Sequence, residues 1–135
     1  MNMAEPRVIV NREFKLGENP LWDDRRKLLF WTDIDAGELW KYDPNTQKAE
    51  RFYEGPKVGG FTLEEDGKLA LFRVEDIVLI DPDNPEKVEH LTYFREENAA
   101  RFNDVMALPD GSVYAGTIAA KSGSGGLYHV DLDLS

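Results

Sequence analysis

The chain has 135 residues, the length of one ordinary domain, and its 41% hydrophobic content with 7 Phe, 5 Tyr and 3 Trp supports a packed core. A formal net charge of −10 without any basic stripe argues against nucleic-acid binding through phosphate contacts. There is no cysteine, so disulfides and thiolate metal sites are excluded, which fits a reducing, cytoplasmic setting; no apolar run is long enough to span a bilayer and none marks a signal region.

In chain order, Arg7 to Phe14 reads as a first strand with no local partner. The polar turn Asp23-Asp24-Arg25-Arg26 leads into an apolar strand at Leu28 to Trp31, then a run from Leu39 that ends at Asp43-Pro44, then Ala49 to Tyr53. The pattern repeats. Glu64-Glu65-Asp66-Gly67 precedes Leu69 to Phe72, Ile77 to Asp81-Pro82 follows, and Val88 to Tyr93 comes next. It begins a third time with Pro109-Asp110-Gly111, Val113 to Ala115, and Leu127 to Asp131. Asp-Gly and Asp-Pro punctuate the strands as turn formers do. The turn-to-turn period matches four-stranded propeller blades of about 40–45 residues. The expected blades span residues 17–54 and 57–94, with a third starting near Arg101 and stopping after its third strand at Leu132. Long helical periodicity is absent; Arg95 to Ala100 is read as a loop.

The stretch Arg101-Phe102-Asn103-Asp104 stands out chemically. Residues two apart in a strand share a face, so Arg101 and Asn103 would present a guanidinium and an amide side by side, with Phe102 and Asp104 pointing the other way. Such a pair suits an oxygen-rich small molecule. On spacing alone a solvated strand start is the commoner reading.

Two further stretches are Leu16-Gly17-Glu18-Asn19-Pro20-Leu21-Trp22-Asp23, and Trp31-Thr32-Asp33-Ile34-Asp35 running on to Leu39. With the R-F-N-D…P-D-G…G-T block, in this order over nearly the whole chain, the sequence resembles the regucalcin/gluconolactonase (senescence marker protein) family. The resemblance implies an all-β fold, a six-bladed β-propeller of which this chain holds about three blades. It also implies that residues 1–135 are the N-terminal half, with the N-terminal strand expected to close the last blade. The remaining half would then belong to the same chain, to another chain, or to a second copy in a homo-oligomer.

The same resemblance implies metal-dependent hydrolysis of a sugar aldonolactone such as gluconolactone. Glu18 matches the family's first metal ligand, and Arg101 and Asn103 match its substrate-contacting pair. The metal would be one divalent ion with oxygen ligands, calcium first, with zinc, magnesium, manganese or iron as alternatives. The other ligands and the general base are expected outside this chain. Where the regucalcin branch often carries an acid after the G-T strand, this chain has Ala119-Ala120-Lys121-Ser122-Gly123, which leaves the exact lactone open. The alternative is a non-catalytic half-propeller used for binding or self-assembly.

Other motifs carry less. Asp104 is read as a turn-stabilising residue. Lys121 to Gly126 lacks the order of a phosphate loop and reads as a hairpin loop. Asp33-Ile34-Asp35-Ala36-Gly37 lacks calcium-loop spacing. No G-x-S-x-G elbow is present, and His90 and His129 stand apart on outer strands. The spacing of Trp22, Trp31 and Trp40 fits blade packing.

Overall fold

The computed structural model describes residues 5–96, 99–120 and 123–132. Among these there is no helix; eleven strands form three antiparallel sheets. The first sheet is β1 (Gly17–Asp23), β2 (Leu28–Asp33), β3 (Glu38–Asp43) and β4 (Lys48–Glu54), in that order. The second is β5 (Gly60–Leu63), β6 (Leu69–Phe72), β7 (Asp76–Asp81) and β8 (Asn84–Tyr93). The third has β9 (Ala99–Ala107), β10 (Ser112–Ala119) and β11 (Leu127–Asp131). Each sheet is an up-and-down meander, the form of a propeller blade.

The blades form because their turns are chemically closed. Asp23 Oδ1 accepts the N–H groups of Arg25 and Arg26 at 3.0 and 3.2 Å. Asp66 and Asp110 do the same for Lys68 and Ser112 at 3.0 and 2.9 Å. These Asx turns satisfy backbone donors that a tight reversal would leave exposed.

The core lies between blades, not within them. Strand alternation sends Leu69 and Leu71 toward blade 1, where, with Phe61 and Ile80 of their own blade, they meet Phe30 and Leu39. Ala70 and Phe72 point toward blade 3, against Phe102, Val113 and Ala115. Both faces of β6 are therefore buried, which is why its sequence is apolar throughout rather than alternating. Arg26 ties the first two blades at their turn end. Its guanidinium donates to Asp23 Oδ2 at 2.8 Å, to the Gly67 carbonyl at 2.8 Å and to Asp83 Oδ2 at 3.0 Å.

The outer faces of the stack differ. On blade 1, Trp31, Trp40 and Tyr42 form a third cluster, with Val10 and Phe14 packed onto it. Phe14 stands edge-on to Trp31 and Trp40, with centroids 5.7 and 5.5 Å away. On blade 3, Met106, Tyr114 and Ile118 remain exposed.

Arg7 to Phe14 is not a strand. Among the described residues it joins none of the three sheets, and an isolated extended segment has no ladder of its own. It gains stability by laying Val10 and Phe14 on the tryptophans instead. Two boundaries also move: β9 begins at Ala99, ahead of Arg101, and β8 begins at Asn84, ahead of Val88. The loop expected over Arg95 to Ala100 is partly strand at Ala99 and Ala100, and residues 97–98 lie outside the described residues.

Candidate active site

The innermost strands β1, β5 and β9 run side by side. Asn19 Nδ2 on β1 donates to the Phe61 carbonyl on β5 at 3.3 Å. At the entry to β5 the chain carries Gly59-Gly60, where β9 crosses closest. A β-carbon at Gly60 would lie 2.7 Å from the Asn103 carbonyl oxygen, so only glycine lets the two backbones approach this way. Glu18, the glycine pair, and Arg101 with Asn103 thus occupy the same end of three neighbouring strands.

Both functional strands are bulged there. Between Glu18 and Leu21, two residues of β1 oppose only Trp31 of β2. Between Phe102 and Val105, Asn103 and Asp104 oppose only Gly116 of β10. Bulges of this kind re-aim side chains and gather beside functional sites. The β9 bulge also changes the face pattern, because Phe102 and Val105 both pack into the core shared with blade 2. Asp104 is left exposed and makes no side-chain hydrogen bond among the described residues, so it does not stabilise a turn.

Arg101 and Asn103 do meet. Arg101 Nη1 donates to Asn103 Oδ1 at 3.2 Å and to the Phe102 carbonyl at 2.8 Å. With one lone pair of the amide oxygen taken by Arg101, Asn103 presents its Nδ2 hydrogens. Arg101 keeps Nε and Nη2 without partners among the described residues. The pair is therefore rich in donors, with one lone pair of Asn103 Oδ1 left as an acceptor, and it fits carbonyl, ring and hydroxyl oxygens. Its strand is held from behind. The Phe102 N–H donates to the Arg73 carbonyl at 3.2 Å. Asp76 grips the Arg73 side chain in a bidentate pair at 2.7 and 2.6 Å, and Arg73 also donates to the Tyr53 hydroxyl at 3.2 Å. Those contacts, Asp76 first, raise the Arg73 pKa against the opposing effect of burial.

Glu18 is half-buried and makes no side-chain hydrogen bond or ion pair among the described residues. Asp33 orders its approach to the sheet. The Asp33 carboxylate accepts the N–H groups of Lys15 and Leu16 at 3.0 and 2.9 Å, and the Ile34 N–H donates to the Leu16 carbonyl at 2.9 Å. Asp33 in the W-x-D run is thus a cap for the segment entering β1. No group of three His, Cys, Asp or Glu able to hold a metal occurs among the described residues. A hard cation takes six or so oxygens, so Glu18 by itself does not make a metal site.

The remaining candidates have structural roles. His129 Nε2 lies 2.9 Å from Ser112 Oγ, which in turn donates to Asp110 Oδ1 at 2.5 Å. A serine whose hydrogen is committed to a carboxylate is no nucleophile. His90 packs against Tyr93 at 4.0 Å between ring centroids. Trp31 and Trp40 stack at 6.3 Å, whereas Trp22 is 46% exposed with Nε1 on Asp24 Oδ1 at 3.3 Å. The loop expected over Lys121 to Gly126 lies partly outside the described residues.

Sequence reasoning missed Gly59-Gly60, Arg73 and Glu96. The glycine pair ahead of an apolar run was a readable sign of close backbone approach. Glu96 carried no local signal, since its partners are Thr117 and Tyr128, 21 and 32 residues away.

Residues 16–135 match the SMP-30/gluconolactonase/LRE-like region family. The chain belongs to this family. Among members of the SMP-30/gluconolactonase/LRE-like family, it is 34% identical over 127 residues to a pentonolactonase of Haloferax volcanii, covering 93% of this chain and 42% of that protein. It is 31% identical to a 6-deoxy-6-sulfogluconolactonase of Pseudomonas putida, covering 83% of this chain and 38% of that protein. A calcium-binding regucalcin of Agrobacterium tumefaciens superposes with a TM-score of 0.81 at 22% identity, over 92% of this chain and 43% of that one. The fold is therefore that of the regucalcin and gluconolactonase propellers, and the chain spans about two fifths of the length of these relatives.

Proposed function

We propose that the protein acts in the hydrolysis of a sugar aldonolactone, as one part of a complete six-bladed propeller. The observation that carries this reading is the donor-rich pair of Arg101 and Asn103, at the same end of the three inner strands as Glu18. The relatives named as pentonolactonase and 6-deoxy-6-sulfogluconolactonase support it.

In the reaction, a water oxygen bonds to the lactone carbonyl carbon and the ring C–O bond breaks. The ring oxygen takes a proton, and the product is an aldonic acid. Arg101 hydrogen-bonds the carbonyl or ring oxygen, where charge builds as the bond breaks. Asn103 Nδ2 orients a neighbouring hydroxyl. Glu18 would serve as one oxygen ligand of a divalent cation, calcium by preference, which would polarise the lactone carbonyl; its remaining ligands would come from the other half of the propeller. These residues on their own assign no step to a cation and supply no general base.

The second reading is an assembly module. Exposed Met106, Tyr114 and Ile118 on the outer face of blade 3 favour it, because monomers seldom leave such a face bare. Its partner would be the missing half, on another chain or on a second copy.

A pH-indicator assay on gluconolactone and pentonolactones, with and without added divalent cations, tests the proposal on an assembly restored to six blades. Hydrolysis that Arg101→Ala suppresses is the expected result. No hydrolysis of any lactone under any cation sinks the enzyme reading and leaves the assembly reading.

A further inference from the structure

The Arg101 and Asn103 pair offers mainly donors, with a single lone pair left on Asn103 Oδ1. A sugar lactone also carries hydroxyl hydrogens, which need acceptors. Ala119 and Ala120, at the end of β10, bring no acceptor side chain. An acceptor does stand on the opposite side of Arg101. A cavity of about 200 Å³ has Arg101, Glu96 and Phe94 on its wall, together with the ion pair of Arg95 and Glu75 at 2.9 Å. The cavity is small for a drug-sized ligand and suits one edge of a single ring.

Glu96 is held for such a task. One of its oxygens, Oε2, accepts the Tyr128 hydroxyl of β11 and Thr117 Oγ1 of β10, the latter at 3.4 Å. Thr117 is fixed in turn by the Gly126 N–H at 2.8 Å. Phe94, two residues before Glu96, packs on Phe102 and Tyr128 with centroids 4.6 and 5.0 Å away. The other oxygen, Oε1, has no hydrogen-bond partner among the described residues. A carboxylate anchored through one oxygen leaves the second pre-aimed, so little side-chain entropy is lost when it accepts a hydroxyl.

We propose that Glu96 reads the hydroxyl pattern of the lactone, accepting ring hydroxyls through Oε1 while Arg101, on the same cavity wall, donates to the carbonyl or ring oxygen. The proposal rests on the lactone reading of the Arg101 and Asn103 pair. It makes Glu96 a specificity-determining residue. Lactones rich in hydroxyls on the Glu96 side are favoured over deoxy or unsubstituted ones.

The test is an NMR titration of the assembly restored to six blades, isotope-labelled in this chain, with two unreactive lactams, gluconolactam and δ-valerolactam. They share the ring and carbonyl, and only the first has hydroxyls. Glu96→Gln is expected to weaken gluconolactam binding about tenfold or more, as for a lost hydrogen bond to a charged group, and to leave δ-valerolactam unchanged. Arg101→Ala is expected to weaken both. Amide resonances of β9 and β10 report whether blade 3 stays folded. Glu96→Asp, which keeps the charge and draws the oxygens back, is expected to show the same selective loss if Glu96→Gln disturbs the blade. Unchanged gluconolactam affinity in both folded Glu96 variants overturns the proposal and leaves the Arg101 reading standing. If wild type binds neither lactam, or Arg101→Ala changes neither affinity, the lactone reading falls and this one with it.

Discussion

A β-carbon on Gly59 would sit 1.8 Å from the carbonyl oxygen of Phe102. The inner strand of blade 2 and the strand bearing Arg101 and Asn103 are thus in contact backbone to backbone. Gly59→Ala must push β9 outward. The expected cost is about 1–3 kcal/mol, as for overpacking a filled site, read from urea unfolding. The amide resonances of Phe102 and Asn103 should move more than those of β1. If neither stability nor those resonances change, the contact does not position the pair.

Asn103→Asp tests the donor-rich surface. The variant keeps size but puts a carboxylate against Arg101 Nη1, which lies 3.2 Å from Asn103 Oδ1. It also deletes the Nδ2 hydrogens. Lactone binding should weaken about tenfold, with the fold intact. An Asn103→Asp variant that binds as tightly as wild type would mean that the amide hydrogens touch nothing.

Asp23 sets an acid limit on stability. It is 1% exposed, and burial by itself would raise its carboxyl pKa. The Arg26 side chain and the N–H groups of Arg26 and Arg25 outweigh that and hold the group below its ordinary value. A carboxyl lowered by folding contributes its full stability above the unfolded-state value of about 3.9, and loses it as pH falls through the lower folded value. Urea midpoints should therefore drop as pH falls below about 4. Asp23→Asn should flatten that slope and cost roughly 3 kcal/mol near neutrality, since it strips Arg26 of a buried partner. An unaltered slope would assign the acid limit to other carboxylates.

Phe14→Ala probes the cover on blade 1. Removing the ring opens Trp31 and Trp40 to water on the side that Phe14 now shields. Tryptophan emission should shift to longer wavelength, with a loss of about 1–2 kcal/mol for a half-buried aromatic. Emission identical to wild type would show that the segment does not rest there in solution.

Much of this was legible in the sequence because strands and turns are local. The apolar runs at Leu28, Leu69 and Val113 became β2, β6 and β10, and the Asp-led turns before them close as Asx turns. Strand parity set Arg101 and Asn103 side by side. Parity failed two residues later, because the bulge opposite Gly116 is decided by how β9 meets β10 and blade 2. Arg7 to Phe14 has strand-forming residues, yet a strand needs an edge, and edges are supplied by tertiary structure. Glu96 was invisible for the same reason: its partners arrive from distant strands, and nothing within its own neighbourhood marks it.

The uneven covering of the three blades has a kinetic consequence. Each blade touches only its neighbours, so opening propagates from the ends, as in a repeat array. β6, buried on both faces, should hold its amide hydrogens longest against exchange, and β11, at the bare end, should release them first. Arg101 and Asn103 ride on the end that opens early, while Glu18 stands on the blade lidded by Phe14. Mild warming would thus scatter the Arg101 and Asn103 donors while the Glu18 carboxylate is still in place, at temperatures where most of the chain still resists exchange.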